Sequence, residues 1–277
     1  MAIVEQNALD IMYDSIESEL VPLLTTDNYM AIDDCLEKNI IALHKAIPEK
    51  KRISFGITYV VKTFAKDLYK WLEDSEFDTM EVAVSIYENM ARFRTKCIGL
   101  GIISHIGITD VEKALPYFYH ASTHEIWEVR EYAQMYIRKI TQVHPERIQD
   151  FLYSLAISDN PNRRRYASEA LRPVLENKWI SDIPEYSLEV LRVLFEETDE
   201  YPRTSVANNL SDLSRKHPEL ILEVVEELMS TGDENSKWIA HRACRHLVIE
   251  EPIRVMNLLD VDQYKYKNKR YNRNDYV

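Results

Sequence analysis

The chain has 277 residues, with 34 Lys and Arg against 46 Asp and Glu, a formal charge of −12. Apolar content of 45% with 29% charged residues is a globular composition and excludes a largely disordered chain. Only five glycines occur, where average usage of about 7% gives roughly nineteen, and no GxGxxG or GxxxxGKS/T is present, so folds built on Gly-rich phosphate loops are excluded.

Residues 1–50 hold ten acids and three bases and read as helix, with no basic and apolar leader. Cys35, Cys97 and Cys244 are odd in number and far apart, which fits a reducing compartment rather than a disulfide framework. The strongly apolar stretch 97–108 contains His105 and is well short of the about 20 residues that span a bilayer. The expectation is a soluble, cytoplasmic protein without a membrane partner. Residues 1–75 form an N-terminal helical region in which no repeat is visible, and 80–106 and 110–121 read as an irregular helix pair. Ser122-x-x-Glu125 has capping-box spacing and predicts a helix start at that point.

Beyond residue 121 the prolines mark a repeat. Pro145, Pro184, Pro218 and Pro252 lie 39, 34 and 34 residues apart, and each opens an amphipathic segment. Each segment follows another helical stretch: WEVREYAQMYI, NRRRYASEALR, YPRTSVANNLSDL and WIAHRACRHL. A helix pair recurring at this period predicts an all-α solenoid of HEAT-like pairs over 76–260, because single pairs cannot bury their apolar faces and must stack. The last segment, 261–277, carries five bases and two acids, shows no periodicity, and is expected to be a poorly packed basic tail.

The first helices of the pairs concentrate Arg130, Arg163, Arg164, Arg165, Arg172, Arg203, Lys237, Arg242 and Arg245, whereas Glu219, Glu223, Glu226 and Glu227 share one face of a second helix. With first helices facing inward, the curved solenoid has a basic concave face suited to a polyanion. A solvated surface laced with ion pairs explains the same residues. Successive helical residues point about 100° apart, so Arg163, Arg164 and Arg165 cannot all face one ligand. Trp127 and Glu131 stand at i and i+4, where an aromatic face and a carboxylate can stabilise a cation, although a packed Trp beside a solvated Glu is the commoner arrangement. His120 and His124 have two-ligand metal spacing without a third ligand, and His144 and His217 precede proline at equivalent repeat positions, which suits a junction role. Neither a metal nor a covalent nucleophile is expected.

WEVRE followed by HPER, then SDNPNRRRYASEALRP, is similar to the motif set of the HEAT-like-repeat DNA glycosylases of the AlkD/AlkC superfamily, bacterial DNA alkylation repair proteins. Ser168-Glu169 and Arg172-Pro173 resemble the AlkC branch's SEGxRP, and the resemblance extends over about residues 80–260. It implies metal-free, cofactor-free excision of N3- or N7-alkylpurines from double-stranded DNA, with the base left in the stack rather than flipped out. It further implies that Trp127 and Glu131 match the AlkD branch's aromatic and catalytic carboxylate, Glu169 the AlkC branch's carboxylate, and Arg165 a phosphate contact. Arg130, Arg163, Arg164, Arg203, Lys237 and Arg242 complete the expected DNA-binding set. Asn208 joins them where the AlkD branch has a second concave Trp. A non-enzymatic binder of branched or distorted DNA, and a protein-interaction scaffold favoured by the −12 charge, are the alternatives. A capped solenoid is compatible with a monomer.

Overall fold

In the computed structural model the described residues are 6–52 and 56–276, so the first five residues of the acidic N-terminus lie outside them. Among the described residues there are sixteen α-helices and one β-hairpin, and packing divides the chain into two units, Met1–Val143 and His144–Val277. No described helix is long and apolar enough to cross a membrane.

The first unit contains α1 (Gln6–Ser15), a π-helical turn (Ile16–Leu20), α2 (Val21–Leu24), α3 (Tyr29–Ala46), α4 (Ile57–Glu73), α5 (Thr79–Asn89), α6 (Phe93–Thr109), α7 (Val111–Ala121) and α8 (Trp127–Val143). Its centre is α6, which packs against α4, α5, α7 and α8. A helix surrounded in this way must be apolar on all sides, and Cys97, Ile98, Leu100, Ile102 and Ile103 are all fully buried. Gly99 lets α5 approach: a Cβ there would sit 2.5 Å from the Ala83 carbonyl oxygen and from the Tyr87 amide nitrogen. The acid-rich start of the chain is partly neutralised at this same helix. Arg92 bridges Asp33 and Asp34 of α3 at 2.7 Å each, and Arg94 pairs with the buried Glu37. Because α4 packs on α6, the expected boundary near residue 75 does not coincide with a break in packing; the division falls after Val143.

The second unit contains α9 (Pro145–Ala156), α10 (Pro161–Ala170), α11 (Pro184–Leu191), α12 (Glu200–Leu213), α13 (Pro218–Ser230), α14 (Glu234–Ala243), α15 (Leu247–Glu250) and α16 (Pro252–Leu258). The first helices α10, α12 and α14 pack side by side, α9 packs on α11, and α13 packs on α16. This is the stacked-pair architecture that the prolines predict. The residue before each repeat proline has nearly the same backbone: His144 at φ −124°, ψ 58°, Ile183 at −133°, 70°, His217 at −125°, 61°, and Glu251 at −128°, 60°. Proline disfavours α geometry in the preceding residue and needs no hydrogen-bond acceptor at the first helical position, so the junction is set locally. The His217 Nε2 also bonds the Ser181 carbonyl of the preceding repeat at 2.6 Å, which accounts for that histidine.

Two local expectations are corrected. Ser122 does not open a helix: it follows α7, its hydroxyl donates to the Tyr119 carbonyl at 2.6 Å, and the next helix begins only at Trp127. The basic tail is not loosely packed. It forms an antiparallel hairpin, β1 (Gln263–Tyr266) and β2 (Lys269–Asn272), with Tyr264 opposite Tyr271. The Tyr264 ring is fully buried and stacked on His241 with centroids 4.3 Å apart, and its hydroxyl donates to the His241 carbonyl at 2.7 Å. One buried aromatic anchor on α14 thus orders a segment whose composition alone reads as solvated.

Candidate nucleic-acid interface

In the first unit, Trp127 is the opening residue of α8 and is 58% exposed, and Glu131, one turn later, is half-buried. The pair therefore shares a helix face at an N-terminus, as the spacing predicts. Arg130 turns back onto the loop that leads into α8, where its Nη1 donates to the His124 carbonyl at 2.6 Å and the Glu125 carbonyl at 3.2 Å. It braces the loop that presents Trp127. His124 accepts the Ile126 N–H at Nδ1, 3.1 Å away, and burial, followed by the Lys96 ammonium, holds its pKa below the usual histidine range. That nitrogen is therefore occupied by the backbone. Among the described residues no group of three His, Cys, Asp or Glu side chains could hold a metal.

In the second unit the Arg163–Arg165 triplet divides its work, as helical geometry requires. Arg164 is largely buried: its guanidinium bonds both Glu197 oxygens at 2.6 and 3.0 Å, the Asp199 carboxylate and the Ser158 carbonyl. Its carboxylate partners lie one repeat ahead, so it clamps α10 to the start of α12. Arg165 lies over the Tyr201 ring with Cζ 4.3 Å from the centroid, and Arg163 is half-buried on the same helix. Glu169 is only 7% exposed and is bracketed by Arg165 at 4.0 Å and Arg172 at 3.4 Å. Arg172 in turn bonds Asp212 at 2.5 Å, and Asp212 also meets Arg245 at 3.4 Å.

These contacts belong to a periodic row. Arg165 stacks on Tyr201, Arg203 on Trp238 at 4.7 Å, and Arg242 lies between Trp238 at 5.5 Å and Tyr266 of the hairpin at 5.8 Å. Arg245 also faces Tyr266, at 5.9 Å. The Asn208 Oδ1 accepts from Arg242 Nε at 3.2 Å and from Arg245 Nη1 at 2.7 Å, Arg203 donates to Asn235, and Lys237 pairs with Glu234 at 2.7 Å. Arg165 and Arg203 meet aromatics one repeat later, whereas Arg242 meets Trp238 of its own helix and Tyr266 of the hairpin, so the row runs from α10 through α12 and α14 to the hairpin. A ring face under a guanidinium fixes its plane; Arg165 is only 12% exposed, and Arg203 and Arg242 also donate to Asn235 and Asn208. Tyr201, Trp238, Tyr266 and Asp212 are the members that sequence reasoning missed. For Tyr201 and Trp238 the signal is an aromatic placed about one repeat period after Arg165 and Arg203; Tyr266 and Asp212 have no such signal.

The expected separation of basic first helices from acidic second helices is not the arrangement in this unit. Glu197, Asp199, Glu169 and Asp212 neutralise arginines within the first-helix layer, while the second-helix acids Glu219 and Glu227 pair with Arg254 and Arg192. Charges of both signs occupy both layers because the repeats are stitched together by ion pairs one period apart.

Comparison with known proteins gives the architecture a context. No family model matches the chain. Over 102 residues it is 37% identical to the uncharacterized protein YhaZ of Bacillus subtilis, a match covering 34% of this chain and 28% of that relative. AlkC, an alkylpurine DNA glycosylase of Pseudomonas fluorescens solved bound to DNA containing an abasic site analog, superposes with a TM-score of 0.55 at 19% identity. That superposition covers 93% of this chain and 66% of AlkC, so the chain spans about two thirds of AlkC's length. AlkD2 of Streptococcus mutans gives 0.57 at 18% identity, covering 76% of this chain and 98% of AlkD2. The chain has the all-α, HEAT-like-repeat fold of AlkC and AlkD2.

Proposed function

We propose that the protein binds double-stranded DNA through the arginine–aromatic row of α10, α12 and α14 and acts in DNA alkylation repair as a metal-free alkylpurine glycosylase. The observation that carries this reading is the row itself, on a fold shared with a glycosylase captured on DNA. Alkylation at N3 or N7 makes a purine cationic. When its bond to C1′ breaks, the electron pair leaves with the base, which becomes neutral, and positive charge builds on C1′ and the ring oxygen of the sugar. The Trp127 face and the Glu131 carboxylate stabilise that charge, and water then adds its oxygen to C1′ and loses a proton to solvent. The base leaves from a stacked position, so no enclosing pocket is required. Arg165 and Arg203 hold phosphates, Arg163, Arg242 and Lys237 extend the contact, Asn208 orients Arg242, and Glu169 positions Arg165 and Arg172. Arg130 and Arg164 act through the loops they brace.

The test is duplex binding over a salt series. Wild-type affinity falls steeply with salt, and Arg203→Ala and Arg165→Ala each reduce the slope of log K against log salt by about 1. A second reading, a protein-interaction scaffold, is favoured by the −12 charge and by the ion pairing within the first-helix layer. Absence of duplex binding at physiological salt would overturn the first reading and leave the scaffold standing. Binding of methylated duplex without base release would instead identify a non-enzymatic DNA binder.

A further inference from the structure

The row of arginines does not end at α14. Beyond it, the hairpin turn and the segment α14–α15 enclose an open cleft of about 570 Å³ whose wall includes Arg215, Arg245, His246, Tyr266, Lys267 and Lys269. Four permanent cations thus converge on one cleft in a protein whose net charge is −12. The acid beside it, Asp212, is already shared by Arg172 and Arg245, which leaves Arg215, Lys267 and Lys269 to set the sign of the mouth.

Two local features hold these cations in place. Lys267 occupies the hairpin turn at φ 53°, a left-handed backbone that glycine adopts without steric cost and that a residue with a Cβ does not. Lysine stands there against local backbone preference, its ammonium 5.6 Å from the Tyr266 ring. His246, in the cleft wall, lies 3.0 Å from Arg215 through its Nε2. Arginine carries only donors, so that nitrogen must be the unprotonated acceptor, and the imidazole orients the guanidinium without adding a carboxylate to the site. Burial first, and then the Arg215 and Arg245 guanidiniums, hold the His246 pKa down.

We propose that this cleft is a phosphodiester-binding site: the hairpin tip and Arg215 clamp the backbone of the same duplex that lies on the arginine row, one step beyond its end. Arg245 and Tyr266 belong to both, which makes the cleft a continuation of an extended polyanion track rather than a separate pocket. The inference rests on the DNA-binding reading above.

The experiment measures duplex binding by the full chain and by Lys267→Gly/Lys269→Gln and Arg215→Gln variants over a salt series. Inorganic phosphate and a nucleoside monophosphate are titrated in parallel at constant ionic strength. The double variant is expected to lose about 2, and Arg215→Gln about 1, from the salt slope. Affinity near 0.1 M salt falls on the order of tenfold or more for the double variant. The melting temperature of Lys267→Gly alone stays at or above wild type, since glycine relieves the turn, so the loss is not unfolding. Wild-type slopes in the variants, with the wild type binding duplex, would overturn the cleft and leave the row intact. No duplex binding by the wild type would overturn both. Tighter lysine-dependent binding of phosphate or mononucleotide than of duplex would show a small-anion site and overturn the assignment to DNA.

Discussion

Arginine is the residue through which this protein both holds its repeats together and meets its proposed ligand, and the two duties separate by what each guanidinium touches. Arg164 reaches a Glu197 side chain that is nearly inaccessible. Breaking a buried pair leaves one charge stranded, which costs about 3 kcal/mol. Arg164→Ala is therefore expected to lower the melting temperature by roughly 6–12 °C, as calorimetry would register. Arg192→Ala removes a half-exposed partner of Glu227 and should change stability by less than about 1 kcal/mol. The arginines themselves were legible in the sequence, but their duties were not. Glu197, Asp212 and Tyr201 lie 33 to 40 residues from the arginines they serve, and no local spacing rule reaches that far.

A second residue-scale outcome concerns pH. His105 stacks on Tyr69 within the first unit, and burial, followed by Lys139, Lys66 and Lys70, pushes its pKa down to about 4. An unfolded histidine titrates near 6.5, so between those values the unfolded chain binds a proton that the native protein does not. Stability is thus full above about pH 6.5 and is lost as pH falls toward 4, with about 2 kcal/mol of the loss falling between pH 7 and 5. Thermal melts at those two pH values check this. The drop should shrink in His105→Phe, and an unchanged drop would remove His105 as its source.

At the scale of elements, the pre-proline junctions repeat because local chemistry sets them, and for that reason the period was readable. The approach of α5 to α6 depends instead on an absent atom. Gly99→Ala places a Cβ against α5 backbone rather than against a side chain able to rotate away. The helices must separate, at a cost of about 1–3 kcal/mol or more, and urea unfolding would show the loss. The element the sequence concealed is the hairpin. Its strands are four residues each and its turn contains no glycine, so neither alternation nor a turn signature stands out. What orders it is the burial of Tyr264 against α14, a tertiary contact with no trace in the segment's own composition.

For the whole molecule, net charge alone does not decide the partner. A total of −12 sets the long-range field, and since each ion pair removes one base with every acid, binding a polyanion requires a local excess of cations. Arg92 and Arg94 against α3, and Arg164, Arg172 and Arg245 between repeats, are engaged in internal ion pairs, so the proposed track depends on the cations outside them. The repeat class followed from proline spacing and is matched by the fold of AlkC over 93% of the chain. The proposed chemistry is a narrower matter, carried by Trp127, which is exposed, and by Glu131 one turn away on the same face.

Release of methylated base from N-methylpurine duplex DNA, measured for the wild type beside Glu131→Gln, is the direct test of that chemistry. The expected result is release of 3- or 7-methylpurine by the wild type and a loss of about 100-fold or more in the variant, whose amide cannot stabilise the developing sugar cation as a carboxylate does. Equal release by Glu131→Gln, or no release by a wild type that binds the duplex, would contradict it.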